Sequence, residues 1–241
     1  MKSILSVLLI AAFALPVFAQ KAIKKTTAPT NNTYTTWTIL LKKYVKAGVV
    51  DYKGIKADPD FEAFLGALQA DIPAATASRE AQMAYWINVY NAFTIKLIVD
   101  NYPVKSIKDI NKGEPWKKEW IQIAHTTYSL DNIENDILRK KYKDARIHFA
   151  INCAARACPP LRAEAFAADK LEAQLEEQTT NFVNSQTNVI GGNALKISSI
   201  FSWFKADFGD VPAFLRKYSR TKFGASPTIA YQKYDWSLNG K

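Results

Sequence analysis

The sequence is poor in the side chains that most often bind metal ions. Its 241 residues include two cysteines and two histidines. Three of these four, His148, Cys153 and Cys158, form the pattern H-x4-C-x4-C, which matches no established zinc-ligand spacing and lacks a fourth ligand. We therefore expect no metal ion and no cofactor.

Long apolar runs are lacking beyond the N-terminus. Residues 1–19 read MKSILSVLLIAAFALPVFA, in which Lys2 precedes an apolar stretch and small residues end it, a pattern typical of a signal peptide. No later segment is predicted to span a membrane, so we expect export to the periplasm or the extracellular space. Residues 20–36 are polar and without periodicity, which predicts a disordered tether before a single domain at 37–241.

Acidic residues are also in deficit. Lys and Arg number 32 against 22 Asp and Glu, giving a formal net charge of +10. Such a basic protein suits an anionic envelope polymer, although we favour solvated lysine faces as the explanation of the charge. The basic clusters carry no motif typical of nucleic-acid recognition. The sequence therefore does not identify the binding partner, and an anionic polymer and a small polar ligand are the two possibilities.

The apolar pattern predicts mainly helices. Ser78 can cap a run at 81–100 that is apolar on nearly every side, as expected for a buried central helix. The other predicted helices are 37–45, 59–70, 131–141, 169–185, 199–209 and 211–219, and the predicted strands lie within 120–130, 145–151, 188–198 and 226–239. We expect an α+β fold, a helix-rich single domain whose buried central helix packs on a small, mostly antiparallel sheet.

Three polar residues within the predicted helices suggest roles beyond packing. Asn88 and Asn91 lie on one face of the central helix, where they either pin neighbouring backbone or line a pocket. Glu134 occupies the capping-box position after Asp131, but it is also a carboxylate partner for a buried imidazole.

Six stretches together resemble a known family. They are YWINVYNAFTI (85–95), NYPVKSIKDI (101–110), LDNIENDILR (130–139), RIHFAINCAARACPPLR (146–162), IFSWFKADFG (200–209) and YDWSLN (234–239). The chain resembles the family catalogued as domain of unknown function 547, for which no activity is agreed. The resemblance aligns Asn88, Asn91, Glu134, His148, Cys153 and Cys158 with family-typical positions. Asn135 stands where many members have histidine.

The two cysteines allow two interpretations. If the intervening AARA is a loop, Cys153 and Cys158 can form a disulfide, whereas a helix would hold them too far apart. Alternatively, Cys153 is a nucleophile with His148 or His125 as its base. On one continuous strand His148 would be remote from Cys153, so that pairing requires the chain to reverse near Asn152.

These observations favour an exported domain of unassigned activity, with a non-catalytic binding or scaffold role. We expect a polar pocket around His148 and the Cys153–Cys158 turn, lined also by Asn88 and Asn91, with His148 bonded to Glu134 or to one of these amides. The alternative is a thiol-dependent hydrolase or acyl transferase that uses Cys153, His148 and Glu134. Whether the protein is an enzyme stays open.

Overall fold

The computed structural model describes residues 31–241. The predicted signal peptide and the first part of the predicted tether, residues 20–30, lie outside this range. The tether prediction is wrong for residues 31–36, because helix α1 begins at Asn31. Thr33 is buried in this helix, and its hydroxyl donates a 2.8 Å hydrogen bond to the Asp71 carboxylate.

Helices form most of the structure, and local signals mark where they start. The side chain of Asp58 caps the helix that begins at Pro59, and Ser78 accepts a hydrogen bond from the Ala81 N–H. The helices are α1 (Asn31–Tyr44), α2 (Tyr52–Lys56), α3 (Pro59–Ala70), α4 (Arg79–Asn101), a π-helix (Asn132–Tyr142), α5 (Ile147–Ala150), α6 (Leu171–Val183), α7 (Ile200–Trp203), α8 (Lys205–Phe208) and α9 (Val211–Tyr218), with 3₁₀ turns at Ile107–Asp109, Asn111–Gly113 and Pro115–Lys117.

Helix α4 is the buried centre of the fold, as predicted. It packs against α2, α6 and the π-helix, and nearly all of its residues from Met83 to Val99 are buried. The helix-rich α+β prediction is confirmed. No helix within residues 31–241 combines the length and apolar composition needed to cross a bilayer.

The strands differ from the predicted arrangement. Within residues 31–241 they form three separate two-stranded sheets and not one sheet beneath α4. The first two are antiparallel, and the third and longest is parallel, with Leu195 opposite Ile229. The strands are β1 (Val45–Lys46) with β2 (Val49–Val50), β3 (Ile121–Ile123) with β4 (Thr126–Tyr128), and β5 (Gly192–Ile197) with β6 (Phe223–Tyr231).

The strand predicted at 145–151 is wrong. Residues Ile147–Ala150 form the one-turn helix α5, and all four are buried. A short, continuous apolar run carries no periodicity that separates a buried strand from a buried helix turn. This helix turn, and not a strand, leads into the segment that contains Cys153.

Helix α5 lies between two hydrophobic cores. Ile147 and Ala150 belong to the larger core around α4, whereas Phe149 packs with Phe201 and Phe208 in a second core beneath α6 to α9. The elements that surround the cysteines therefore come from both cores.

Candidate functional site

Cys153 and Cys158 face each other across a tight turn. Their sulfur atoms are 2.7 Å apart, and the Cys153 N–H donates a 2.8 Å hydrogen bond to the Cys158 sulfur. Ala154 has a φ of 58°, in the left-handed region that residues with a Cβ seldom adopt. Both thiols are free, so the predicted disulfide is absent from the structure.

Buried amides hold this turn in place. Asn91 of α4 donates to the Ala150 carbonyl and accepts from the Asn152 N–H, at 2.9 and 2.8 Å. The Asn152 side chain in turn donates to the Pro159 carbonyl and accepts from the Ala154 N–H. Because these groups are buried, each lost bond would leave an unpaired polar atom. The backbone on both sides of Cys153 is thus fixed from α4.

The C-terminal segment, residues 234–239, clamps the turn from its other side. The Arg156 N–H donates to the Ser237 carbonyl at 2.7 Å, and the Ala157 N–H donates to the Asp235 carbonyl at 3.1 Å. This segment also brings Tyr234 to the site, where the phenol oxygen lies 3.2 Å from the Cys153 sulfur.

The cysteine turn opens onto a cavity of about 320 Å³. Its wall includes Glu134 and Asn135 of the π-helix, His148 of α5, and Tyr90 of α4. Both cysteines reach this cavity, Cys153 half-buried and Cys158 buried. Elements from both cores therefore meet around one cavity.

Aromatic side chains form a continuous wall of the cavity, called here the aromatic wall: Trp116, Trp203, Tyr234 and Trp236. The ring centroids of Tyr234 and Trp236 are 4.6 Å apart, and Trp203 contacts both rings. Trp203 remains 50% exposed, so the wall reaches the outer surface. Such a surface suits an apolar or ring-shaped part of a ligand.

His148 is held by Asp207. Its Nε2 lies 2.7 Å from the Asp207 carboxylate, and its ring stacks on Phe204 with centroids 3.9 Å apart. Burial lowers the pKa of His148 to about 4, although Asp207 opposes this shift, so the imidazole is neutral at pH 7 and donates its Nε2–H to Asp207.

Arg139 binds the same carboxylate. Its Nε and Nη2 atoms donate to the two Asp207 oxygens at 2.6 and 3.1 Å. Burial would raise the pKa of Asp207, but the hydrogen bonds from Arg139 and His148 outweigh it and hold the pKa below the usual carboxyl range. Asp207 thus joins α5, α8 and the π-helix through one ionised group.

Glu134 is the carboxyl with the most perturbed ionisation in the cavity wall. Burial raises its pKa to about 7, although the Tyr90 hydroxyl donates a 3.0 Å hydrogen bond to it and Arg139 is nearby. A carboxyl with this pKa is protonated in a large fraction of molecules at neutral pH. It can therefore both donate and accept a proton there.

The two thiols differ in how easily they ionise. Burial alone would raise the pKa of Cys153, but hydrogen bonds that Cys158, the Tyr234 hydroxyl and the Ala155 N–H donate to its sulfur place the pKa below the usual thiol range. Burial and the adjacent Cys153 sulfur raise the pKa of Cys158 well above that range. Cys153 therefore forms the thiolate more easily than Cys158 does.

Residues 74–183 match the family described as protein of unknown function, DUF547. Over these residues the chain is similar to the DUF547 family. The matched segment contains Glu134, His148 and both cysteines, and the match confirms the resemblance seen in the sequence. No curated protein and no solved structure matches the chain.

All six residues of the predicted site lie within the DUF547 segment, but only four of them line the cavity. Glu134, His148, Cys153 and Cys158 line one cavity, as expected. Asn88 does not line it, because its amide pairs with the Phe166 backbone through bonds of 2.7 and 3.0 Å. Asn88 and Asn91 both pin backbone and do not form the pocket wall.

Two predicted pairings of DUF547-segment residues are wrong. His148 bonds to Asp207, and not to Glu134 or to an asparagine amide. Glu134 bonds to Tyr90 and takes no part in a capping box, since Ser129 and Asn132 close the start of the π-helix. The capping-box expectation assumed ordinary α-helical spacing, which an eleven-residue π-helix does not follow.

The alternative base His125 is exposed in the β3–β4 turn and is not part of the cavity lining. Sequence reasoning missed Asp207 and Tyr234, which lie C-terminal to the DUF547 match. Their signal was present, because each falls within a family-like stretch, IFSWFKADFG and YDWSLN. Among residues 31–241 no cluster of three or more His, Cys, Asp or Glu side chains is arranged to hold a metal ion.

Proposed function

We propose that this protein is a thiol-dependent enzyme that hydrolyses or transfers an acyl group, with Cys153 as nucleophile and Glu134 as general acid and base. The observation that carries the proposal is the shared cavity of these two groups. The more easily ionised thiol opens onto the same space as a carboxyl with a pKa of about 7.

The chemistry needs two proton transfers, and Glu134 can serve both. The Cys153 thiolate attacks the carbonyl carbon of the substrate, and protonated Glu134 gives its proton to the leaving group as the carbon–leaving-group bond breaks. The product is a thioester on Cys153. Ionised Glu134 then takes a proton from water or another acceptor as that acceptor attacks the thioester, and the carbon–sulfur bond breaks to release the Cys153 thiolate beside protonated Glu134.

His148 is a positioning residue in this proposal. Its Nε2 is committed to Asp207, its ring is stacked on Phe204, and its pKa of about 4 leaves it neutral at working pH. A neutral, buried and bonded imidazole stabilises the wall that carries Glu134 and Phe204. It is not needed as the base for a thiol that already ionises readily.

A second candidate is the non-catalytic binding role expected from the sequence. The aromatic wall favours it, because four aromatic rings could hold a ligand without any reaction. The two candidates differ in one respect, which is whether a carbonyl carbon becomes bonded to Cys153.

Export belongs to the proposal as well. It is supported by the leader-like sequence of residues 1–19 and by the basic composition, which suits an anionic envelope. Detection of the intact protein in the cytosol, with residues 1–19 still attached, would contradict it.

The acyl-transfer test uses p-nitrophenyl acetate as a simple acyl donor. We expect release of nitrophenol together with a single acetyl adduct, located on Cys153 by peptide mass spectrometry and removed by hydroxylamine. Cys153→Ala should form no adduct. Glu134→Gln should still be acetylated but should lose the adduct to water more slowly, by about tenfold to a hundredfold.

Asp136→Asn is the matched control, because Asp136 is an exposed carboxylate on the same π-helix. It should acetylate and turn over like the unchanged protein. Equal labelling of Cys153→Ala and the unchanged protein would sink the enzyme proposal. The non-catalytic binding role would then be the better account of the cavity.

A further inference from the structure

The cysteine turn combines three features that acyl chemistry does not require. The Cys158 sulfur lies 2.7 Å from the nucleophile, Cys158 is more deeply buried than Cys153, and the chain contains no third cysteine. A simple thiol nucleophile needs no second thiol in contact. The pair requires a separate explanation.

We propose that Cys153 and Cys158 are an attacking and a resolving thiol that undergo reversible exchange with an external disulfide. The geometry is already close to the product, since the sulfur atoms need only approach from 2.7 Å to the roughly 2.05 Å of a disulfide bond. Asn91, Asn152 and the C-terminal segment fix the turn on both sides, so closure needs little backbone movement.

The two thiols also divide the roles. Cys153 is half-buried at the cavity and forms the thiolate more easily, which suits the attacking position. Cys158 is buried and holds its proton more tightly, which suits a thiol that reacts only once a partner sulfur is bonded beside it.

The exchange is balanced in two steps. The Cys153 thiolate attacks one sulfur of the disulfide RSSR, which forms the mixed disulfide Cys153–S–S–R and releases one thiolate RS⁻. That thiolate takes the Cys158 proton. The Cys158 thiolate then attacks the Cys153 sulfur, forms the internal disulfide and releases the second RS⁻. The second RS⁻ takes from water the proton that Cys153 gave up on ionising, so the protein dithiol is oxidised and RSSR is reduced to two thiols.

This inference shares the reactive Cys153 with the proposed function but needs no acyl substrate. While the internal disulfide is present, Cys153 cannot attack a carbonyl carbon. The disulfide state would therefore also switch the acyl chemistry off, and reduction would restore it.

Oxidised glutathione is the probe for the test. The unchanged protein should lose both free thiols, end two hydrogens lighter, and carry no glutathione. Cys158→Ser, which keeps only the attacking thiol, should stop at a stable adduct with one glutathione on Cys153. Cys153→Ser should react more slowly than Cys158→Ser by at least about tenfold, because its remaining thiol is buried.

Two outcomes would overturn the inference: a stable glutathione adduct on the unchanged protein, or equal rates for the two single-cysteine variants. Labelling with p-nitrophenyl acetate, before oxidation and after it, separates this result from the acyl proposal. Internal disulfide formation without any acetyl adduct in the reduced protein would leave the exchange intact and reject the acyl chemistry. An acetyl adduct without internal disulfide formation would do the reverse.

Discussion

Tyr234 contacts the Cys153 sulfur directly, whereas Glu134 influences the same thiol through charge. The phenol oxygen, 3.2 Å from the sulfur, stabilises the thiolate by donating a hydrogen bond, and the ionised Glu134 carboxylate opposes thiolate formation by repulsion. The ionisation of Cys153 at a given pH therefore depends on both residues. A conservative substitution of either residue removes its effect and leaves a side chain of similar size in the cavity wall.

Tyr234→Phe should raise the pKa of Cys153, because the thiolate loses one of its hydrogen-bond donors. We expect alkylation by iodoacetamide at neutral pH to slow by roughly threefold to tenfold and the rate–pH curve to move to higher pH. Measurements in the Cys158→Ser background isolate this thiol. Tyr231→Phe, an exposed tyrosine at the end of β6, is the control and should leave the curve unchanged. An unmoved curve in Tyr234→Phe would exclude the proposed hydrogen bond to the thiolate.

Glu134 should make the folded protein less stable as pH rises. Its pKa is 4.5 ordinarily and about 7 in the fold, so the folded state holds the proton more tightly than the unfolded state. The contribution of protonated Glu134 to the free energy of unfolding is complete below pH 4.5 and is lost as pH rises through about 7. Above that pH the carboxylate is charged, and Tyr90 and Arg139 offset only part of the cost of burying it.

Glu134→Gln removes this titration. Relative to the variant, the unchanged protein should lose roughly 1–3 kcal/mol of unfolding free energy between pH of about 4.5 and about 8. Urea unfolding across this range measures the difference. Asp136→Asn, on the exposed face of the same helix, should run parallel to the unchanged protein. A constant difference between Glu134→Gln and the unchanged protein at every pH would mean that Glu134 has an ordinary pKa.

At the scale of elements, sequence reasoning succeeded where a local signal marks a boundary. The Asp58–Pro59 start predicted α3 at its observed limits, and the Ser78 cap placed α4 within two residues. It failed at α5, where four buried residues lack periodicity, and at the parallel pairing of β5 with β6, which depends on contacts across the second core. Short elements and pairings that join distant segments are set by tertiary packing.

The site shows the same division. The cysteines, His148 and Glu134 were predicted to share a pocket because motif positions drew attention to them. Asp207 is separated from His148 by 59 residues, and no local pattern encodes that contact. The sequence predicted that the buried amides of α4 bind other polar groups, because buried amides must find partners. It did not predict which backbone groups each amide binds.

The two amides of α4 provide a matched pair of variants. Asn91→Ala removes both bonds to the backbone beside Cys153, and Asn88→Ala removes both bonds to Phe166. Each should lower the unfolding free energy by about 1–3 kcal/mol. Only Asn91→Ala should also change the rate of Cys153 alkylation, because only that amide positions the cysteine turn. Equal effects of both variants on thiol reactivity would show that the turn is held by general stability and not by the Asn91 clamp.

At the scale of the whole molecule, the C-terminal segment ties distant parts of the chain to the cysteine turn. Asn239 accepts a 2.6 Å hydrogen bond from the Tyr52 hydroxyl of α2, the Leu238 N–H donates to the Lys105 carbonyl, and the Asn239 N–H donates to the Ala154 carbonyl. The last residues therefore close both the fold and the cavity, to which they contribute Tyr234 and Trp236.

Deletion of residues 234–241 should therefore cost more than a surface truncation. Loss of buried Leu238 and of several backbone bonds predicts a decrease of roughly 3–5 kcal/mol in unfolding free energy. Hydrogen exchange followed by mass spectrometry should show faster exchange at the Arg156 and Ala157 amides, whose acceptors are removed. Amides within α6 should keep their protection if the truncated chain still folds.

If the truncated chain does not fold, Asn239→Ala can test whether the C-terminal segment holds the cysteine turn. This variant removes the bond to Tyr52 and a 3.1 Å bond to the Asn152 side chain, so we expect a loss of about 1–2 kcal/mol. Exchange at the Ala154–Cys158 turn should rise while exchange in α6 stays the same, because the variant loosens the clamp on the turn and leaves the second core intact. Uniformly faster exchange across the chain, with no excess at the turn, would show that the C-terminal segment contributes general stability and does not hold the site.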